Sequence, residues 1–141
     1  MAWTKKVKMK IYIASSWKNQ HGVEMLTELL RTQGHQVISW IENSYDENLH
    51  IGSDDFDKWI NSENGTKAFC FDTSGAKECD VLIYYAPAGK DACAEMAVAW
   101  TSGAYIIGLD AKGEDIGLMQ RMMNVWCSRY TEVLKVIEEL K

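Results

Sequence analysis

Short apolar runs rich in β-branched and aromatic residues recur along this chain, and stretches with helical spacing separate them. The runs are Val7–Ala14 (VKMKIYIA), His35–Ile41 (HQVISWI), Val81–Ala86 (VLIYYA), Ala104–Asp110 (AYIIGLD) and the shorter Val125–Ser128 (VWCS). Each is of strand length, and runs that are apolar throughout mark strands buried on both faces. Between the first two, Val23, Leu26, Leu29 and Leu30 fall at helical spacing, and Gly34 supplies the stop. Further helices are expected over Asp54–Gly65, with Phe56, Trp59 and Ile60 inward and Gly65 closing it, and over Thr66–Asp80, weakened by Gly75. The remaining helices are expected at Lys90–Ser102, ending at Gly103, at Glu114–Asn124 and at Tyr130–Lys141. Residues 42–53 are polar and turn-rich and read as a loop.

Strands alternating with helices at this interval require a parallel sheet covered on both faces. Right-handed crossovers leave few topologies. The expected fold is a three-layer α/β domain, flavodoxin- or Rossmann-like, with five parallel strands in the order 2-1-3-4-5. No repeat, low-complexity tract or linker divides the 141 residues, so 1–141 reads as one domain. A hydrophobic fraction of 47% is enough to build its core.

Charge and composition narrow the partners. The formal net charge of −5 and the lack of any basic run argue against a nucleic acid polymer as ligand. The first apolar run is too short for a signal peptide or membrane span, so a cytoplasmic protein without membrane association is expected. Cys70, Cys79, Cys93 and Cys127 lack metal-type spacing and read as reduced, partly buried thiols. His21, His35 and His50 have no ligand spacing, and GSDDFD (52–57) reads as a solvated helix start, so neither a metal nor a cofactor is expected. Trp40, Trp59 and Trp100 sit at apolar-periodic positions and are expected in the core, while Lys18 and Lys90 read as solvated lysines.

The expected strand order has a functional consequence. Ligands of open α/β sheets bind beyond the carboxyl ends of the strands where the order reverses, here between the first and third strands. The segments leaving those strands are SSWKNQ (15–20) and PAGKDACAE (87–95). In the second, Asp91 and Glu95 lie four apart and share a helical face. Asp91 suits the positive end of a helix, which is its plainer explanation. Glu95 lies past the cap among Ala92, Cys93, Ala94, Met96, Ala97, Val98 and Ala99. A carboxylate on so apolar a helix is expected to face a cleft, where it can act as nucleophile or stabilise a sugar cation.

KIYIASSWKNQ, DTSGAKECDVLIYYAPAGKDACAEMAVAWTSGAYIIGL and EDIGLM together resemble the nucleoside 2-deoxyribosyltransferase superfamily, and its small phage and bacterial members above all. The resemblance leaves out roughly residues 42–65. It implies cleavage or transfer of the N-glycosidic bond of a nucleoside or nucleotide, with Glu95 as nucleophile. It also implies that Asp72 handles the base, and that the stretch Tyr12 to Trp17, including Ala14, Ser15 and Ser16, lines the sugar and base pocket. Asp72 or Asp91 in protonated form is the candidate proton donor. Transferases of this family usually carry an aspartate six residues before the nucleophile, where this chain has Gly89. A homodimer or higher homo-oligomer is the assembly the resemblance implies. The competing reading is a non-catalytic nucleotide-binding or sensing module, related to Toll/interleukin-receptor-like NAD-processing domains.

Overall fold

The computed structural model describes residues 7–46 and 56–140. Five parallel strands form one sheet: β1 (Lys10–Ala14), β2 (Gln36–Ile38), β3 (Val81–Tyr85), β4 (Tyr105–Leu109) and β5 (Val125–Cys127). Their order is β2-β1-β3-β4-β5, as the alternation of runs requires. Among the described residues there are six α-helices: α1 (Gln20–Thr32), α2 (Trp40–Asp46), α3 (Phe56–Ile60), α4 (Glu63–Glu78), α5 (Lys90–Thr101) and α6 (Tyr130–Glu139). Single 3₁₀ turns lie at Trp17–Asn19 and Gly117–Met122. Among the described residues no helix is long and apolar enough to cross a membrane.

Register decides which side chains meet which layer. Tyr12 pairs with Leu82, and Ala14 with Tyr84, so these even-numbered residues point to one face. Tyr12 there meets Gly75 of α4, whereas Tyr85, pointing oppositely, meets Gly22 of α1. The helices α4 and α5 thus pack together on one face, and α1 and α6 cover the other. Ile11, Ile13, Leu82, Ile83, Ile106 and Ile107 are fully buried between the layers. Gly34 and Gly103 end α1 and α5 at φ of 93° and 89°, a left-handed conformation that glycine adopts without a Cβ penalty.

Several local expectations are corrected. The first strand starts at Lys10 rather than Val7, which is exposed. The second strand stops at Ile38, because Ser39 accepts a hydrogen bond from the Glu42 amide and starts α2 there. Residues 42–46 are therefore helical; residues 47–53 of the expected loop, Asp54 and Asp55, His50 and most of GSDDFD lie outside the described residues. Gly65 does not close a helix. It sits in the first turn of α4, where Ser62 accepts a hydrogen bond from its amide. The short α3 buries none of its residues: Phe56 and Ile60 are exposed, and Trp59 is only partly covered.

Trp100 was also expected in the core, yet it is 54% exposed. The inner face of α5 is Ala92, Met96 and Ala99, and the next residue rotates outward. Trp40 is buried as expected, and its indole N–H donates to the Ile13 carbonyl at 2.7 Å. Glu114–Asn124 forms a 3₁₀ turn rather than an α-helix, with Leu118 and Met119 exposed. Of the thiols, Cys79 and Cys127 are buried and Cys93 partly so, but Cys70 is exposed.

Candidate functional site

The carboxyl ends of β1 and β3 open into a cavity of about 350 Å³, at the point where the strand order reverses. Its walls come from four segments far apart in sequence. The turn after β1 contributes Ser15, Ser16 and Trp17, and α4 contributes Asp72. The start of α5 contributes Gly89, Lys90, Asp91, Ala92 and Glu95. Trp40 completes the wall; it meets Trp17 edge to face, with ring centroids 4.9 Å apart. Of the residues expected here from the sequence, Glu95, Asp72, Asp91, Ser15, Ser16, Trp17 and Gly89 all line this cavity. Tyr12 and Ala14 do not line it; they are fully buried.

Local sequence explains the convergence. The lack of a side chain at Gly75 lets α4 lie against the Tyr12 ring, and Asp72 is one turn earlier on the same helix. Asp91 and Glu95 fall in successive turns of α5, so one helix face presents both. Gly89 is the N-cap of α5, and a β-carbon added there would meet nothing within 4 Å.

The electrostatics are those of acids withdrawn from water. Burial, reinforced by the charge of Asp91, raises the Asp72 carboxyl to about 7. Burial likewise raises Glu95 to about 8; the charges of Asp72 and Asp91 add to this, and the Tyr12 phenol opposes it. Burial and then the neighbouring Glu95 and Asp72 charges push the Tyr12 phenol well above its usual range. No protein atom makes a fully formed hydrogen bond to its buried hydroxyl. The cavity therefore holds two carboxyls pushed up toward neutrality by burial, with the charge of Asp72 adding to the rise at Glu95. Lys90 is the one cationic side chain among its lining residues. Among the described residues, no group of three or more His, Cys, Asp or Glu side chains is arranged to hold a metal ion.

Two other hollows lack this chemistry. A groove of about 630 Å³ between β2, α2 and α4 has Glu42 on its wall, and that carboxylate is bound to Arg31. A third, of about 510 Å³, lies past β3, β4 and β5 beside Arg129. Sequence reading missed Asn19, whose amide donates to Ser15 Oγ at 3.0 Å and to the Pro87 carbonyl at 2.6 Å. Its only local signal is a position preceding α1 that favours Asn as a cap.

No protein-family model and no curated protein sequence matches this chain. Solved structures do. The CMP N-glycosidase BcmB of Clostridium botulinum superposes with a TM-score of 0.58 at 20% identity, covering 93% of this chain and 99% of that one. A conserved protein from Enterococcus faecalis V583 superposes with a TM-score of 0.65 at 14% identity, over 94% of this chain and 99% of its own. At these identities the likeness is one of fold.

Proposed function

We propose that this protein hydrolyses the N-glycosidic bond of a nucleotide or nucleoside, with Glu95 as nucleophile and Asp72 as acid. The observation that carries the reading is the pair itself: two carboxyls, both raised by burial, facing one cavity at the strand-order reversal. A fold shared with a CMP N-glycosidase supports the choice of bond.

The steps balance with these groups alone. Glu95, ionised, attacks C1′ of the sugar as the C1′–N bond breaks, and the positive charge building on the sugar is stabilised by the carboxylate it approaches. The electron pair of the broken bond leaves with the base, which takes its proton from Asp72. The product is a glycosyl ester on Glu95. Asp72, now ionised, removes a proton from water, and the resulting hydroxide releases the sugar and restores Glu95. Trp17, steadied edge to face by Trp40, offers a flat surface for the base.

Gly89 favours hydrolysis over base exchange in this reading, because the acid expected of transferases at that position is missing. Exposed Trp100, Leu118 and Met119 support a homodimer through the outer side of α5, which light scattering would test.

The enzymatic test is chromatography of free base after incubation with CMP, other ribo- and deoxyribonucleoside monophosphates, nucleosides and NAD. Release by the native protein and its loss in Glu95→Gln is the expected result. Release that persists in Glu95→Gln removes Glu95 from the mechanism. Binding of any of these compounds without release favours a sensing module.

A further inference from the structure

Ser15 and Ser16 are adjacent and both line the cavity, yet their hydroxyls are differently committed. The Ser15 hydroxyl donates to the Tyr85 carbonyl at 2.8 Å and accepts from the Asn19 side-chain amide at 3.0 Å. The second hydrogen of that amide goes to the Pro87 carbonyl at 2.6 Å. Two of these bonds join the turn after β1 to the end of β3 and the loop that follows it, across the crevice where the strand order reverses. The third ties Asn19 to Ser15 within that turn. Among the described residues, Ser16 accepts only from the Lys18 amide, at 3.2 Å, which leaves its proton for another partner.

Asn19 stands at the N-cap of α1, where its side chain ordinarily accepts a hydrogen bond from the first turn of the helix. It makes no such bond. The cap is forgone, and the amide is spent on a segment 68 residues further along the chain. A local rule broken in favour of a long-range contact points to a positional requirement at the far end. That far end is the loop leading through Gly89 into α5, and α5 carries Asp91 and Glu95.

We propose that Asn19 and Ser15 are positioning residues that fix the start of α5 against β1, and so set the reach of Glu95, while Ser16 is the hydroxyl that meets the ligand. This rests on the reading of Glu95 as the attacking group. Its logic is geometric: an attacking atom held near its target in the bound complex loses rate steeply with small displacements, whereas ground-state binding depends on other contacts.

The test compares Asn19→Asp with Ser16→Ala in the full chain, with Asn19→Ala as a second clamp variant and thermal melting to verify folding. The aspartate keeps the size of asparagine but turns an oxygen, not a donor, toward Pro87. For Asn19→Asp, kcat is expected to fall about ten- to a hundredfold with KM within about twofold. For Ser16→Ala, KM rises and kcat changes less. Independently of activity, amide hydrogen exchange over Ala88 to Ala92 should quicken about tenfold in both Asn19 variants, with the core strands still protected. Asn19→Asp with kcat within about twofold of native overturns the proposal, as does unchanged exchange in that segment. Should the native protein release no base from any nucleotide, the glycosidase reading falls, and the exchange measurement alone decides the clamp.

Discussion

Gly75 lies directly against the ring of Tyr12: a β-carbon at that position would stand 2.8 Å from Tyr12 Cδ2 and 3.2 Å from Ile38 Cγ2. Tyr12 is fully buried in β1, which is flanked by a strand on each side, and cannot yield. The contact fixes how close α4 comes to the sheet, and with it how close Asp72 comes to Glu95. On helix propensity alone, Gly75→Ala would stabilise α4 by about 1 kcal/mol. Overpacking against Tyr12 opposes this with a cost of about 1–3 kcal/mol. The packing term is the larger, so urea unfolding should give a net loss of stability. The pH dependence of base release should also change, because the two carboxyls move apart. A more stable variant with native pH behaviour would mean that the helix accommodates the methyl freely.

Asp72 has no cationic partner in the cavity near enough to lower its carboxyl; burial and Asp91 both raise it. Raised to about 7, it still carries its proton in part of the molecules at neutral pH and can give it to a departing base. Replacing it by asparagine keeps shape and removes the proton. On a substrate whose base must be protonated to leave, base release should fall by about 10²–10⁴ in Asp72→Asn. A nucleotide whose base leaves without protonation should lose far less. Equal losses on both substrates would assign Asp72 to binding rather than proton transfer.

The strands and their order were legible because parallel strands buried on both faces need runs such as IYIA and VLIYY, which few other structures use. The position of Glu95 was legible for a related reason, since a lone carboxylate on an alanine-rich helix demands a cleft. What escaped depends on partners distant in sequence. Asn19 reads as a helix cap until Pro87 is found beside it, and Gly75 reads as a weak point in a helix until Tyr12 is seen beneath it. Ser39 hid inside an apolar run, so the start of α2 was taken into the second strand. Trp100 shows the limit of periodicity: Ala99 and Trp100 are neighbours, and only the rotation of the packed helix decides which one is buried.

Activity should depend on pH as a bell. Asp72 is raised to about 7 and Glu95 to about 8, the charge of Asp72 contributing to the rise at Glu95. With both protons on, at lower pH, no carboxylate can attack. With both off, at higher pH, nothing protonates the base. The working form carries one proton, on Asp72 with Glu95 ionised. Because Glu95 is the weaker acid, this is the minor of the two one-proton forms, but its share of them does not change with pH, so it too peaks between those values. A profile of kcat/KM, which reports the free enzyme, should peak between about 7 and about 8 and decline on both sides. A flat profile from mildly acidic to alkaline pH would contradict the pairing.

Gly89 leaves open space at the start of α5, on the wall of the cavity. Because nothing lies within 4 Å of an added β-carbon, Gly89→Asp should fold without strain at a backbone already extended. As the N-cap of α5, aspartate should add a few tenths of a kcal/mol to stability. A third acid on the cavity wall would raise the Glu95 carboxyl further, moving the alkaline limb of the pH profile upward. With a free base supplied as acceptor, product analysis would tell whether the added acid turns hydrolysis toward exchange. An unmoved alkaline limb would mean that the new carboxylate points away from Glu95.

Glu95→Gln separates function from stability. The folded protein holds the Glu95 proton up to about 8, whereas the unfolded chain releases it near 4.5. Between those values the native state binds more protons, so stability falls as pH rises through the window. Any benefit of the raised carboxyl is complete below the unfolded value and gone above the folded one. Glutamine has nothing to ionise and escapes this loss. Thermal melting of the variant should therefore match the native protein closely at pH near 5 and exceed it at pH near 9, by on the order of 1–3 kcal/mol, or several degrees. The inactive variant would be the more stable one, as expected where a carboxylate is kept out of water for the sake of chemistry. A difference that is the same at both pH values would mean that the Glu95 carboxyl titrates as an ordinary exposed acid.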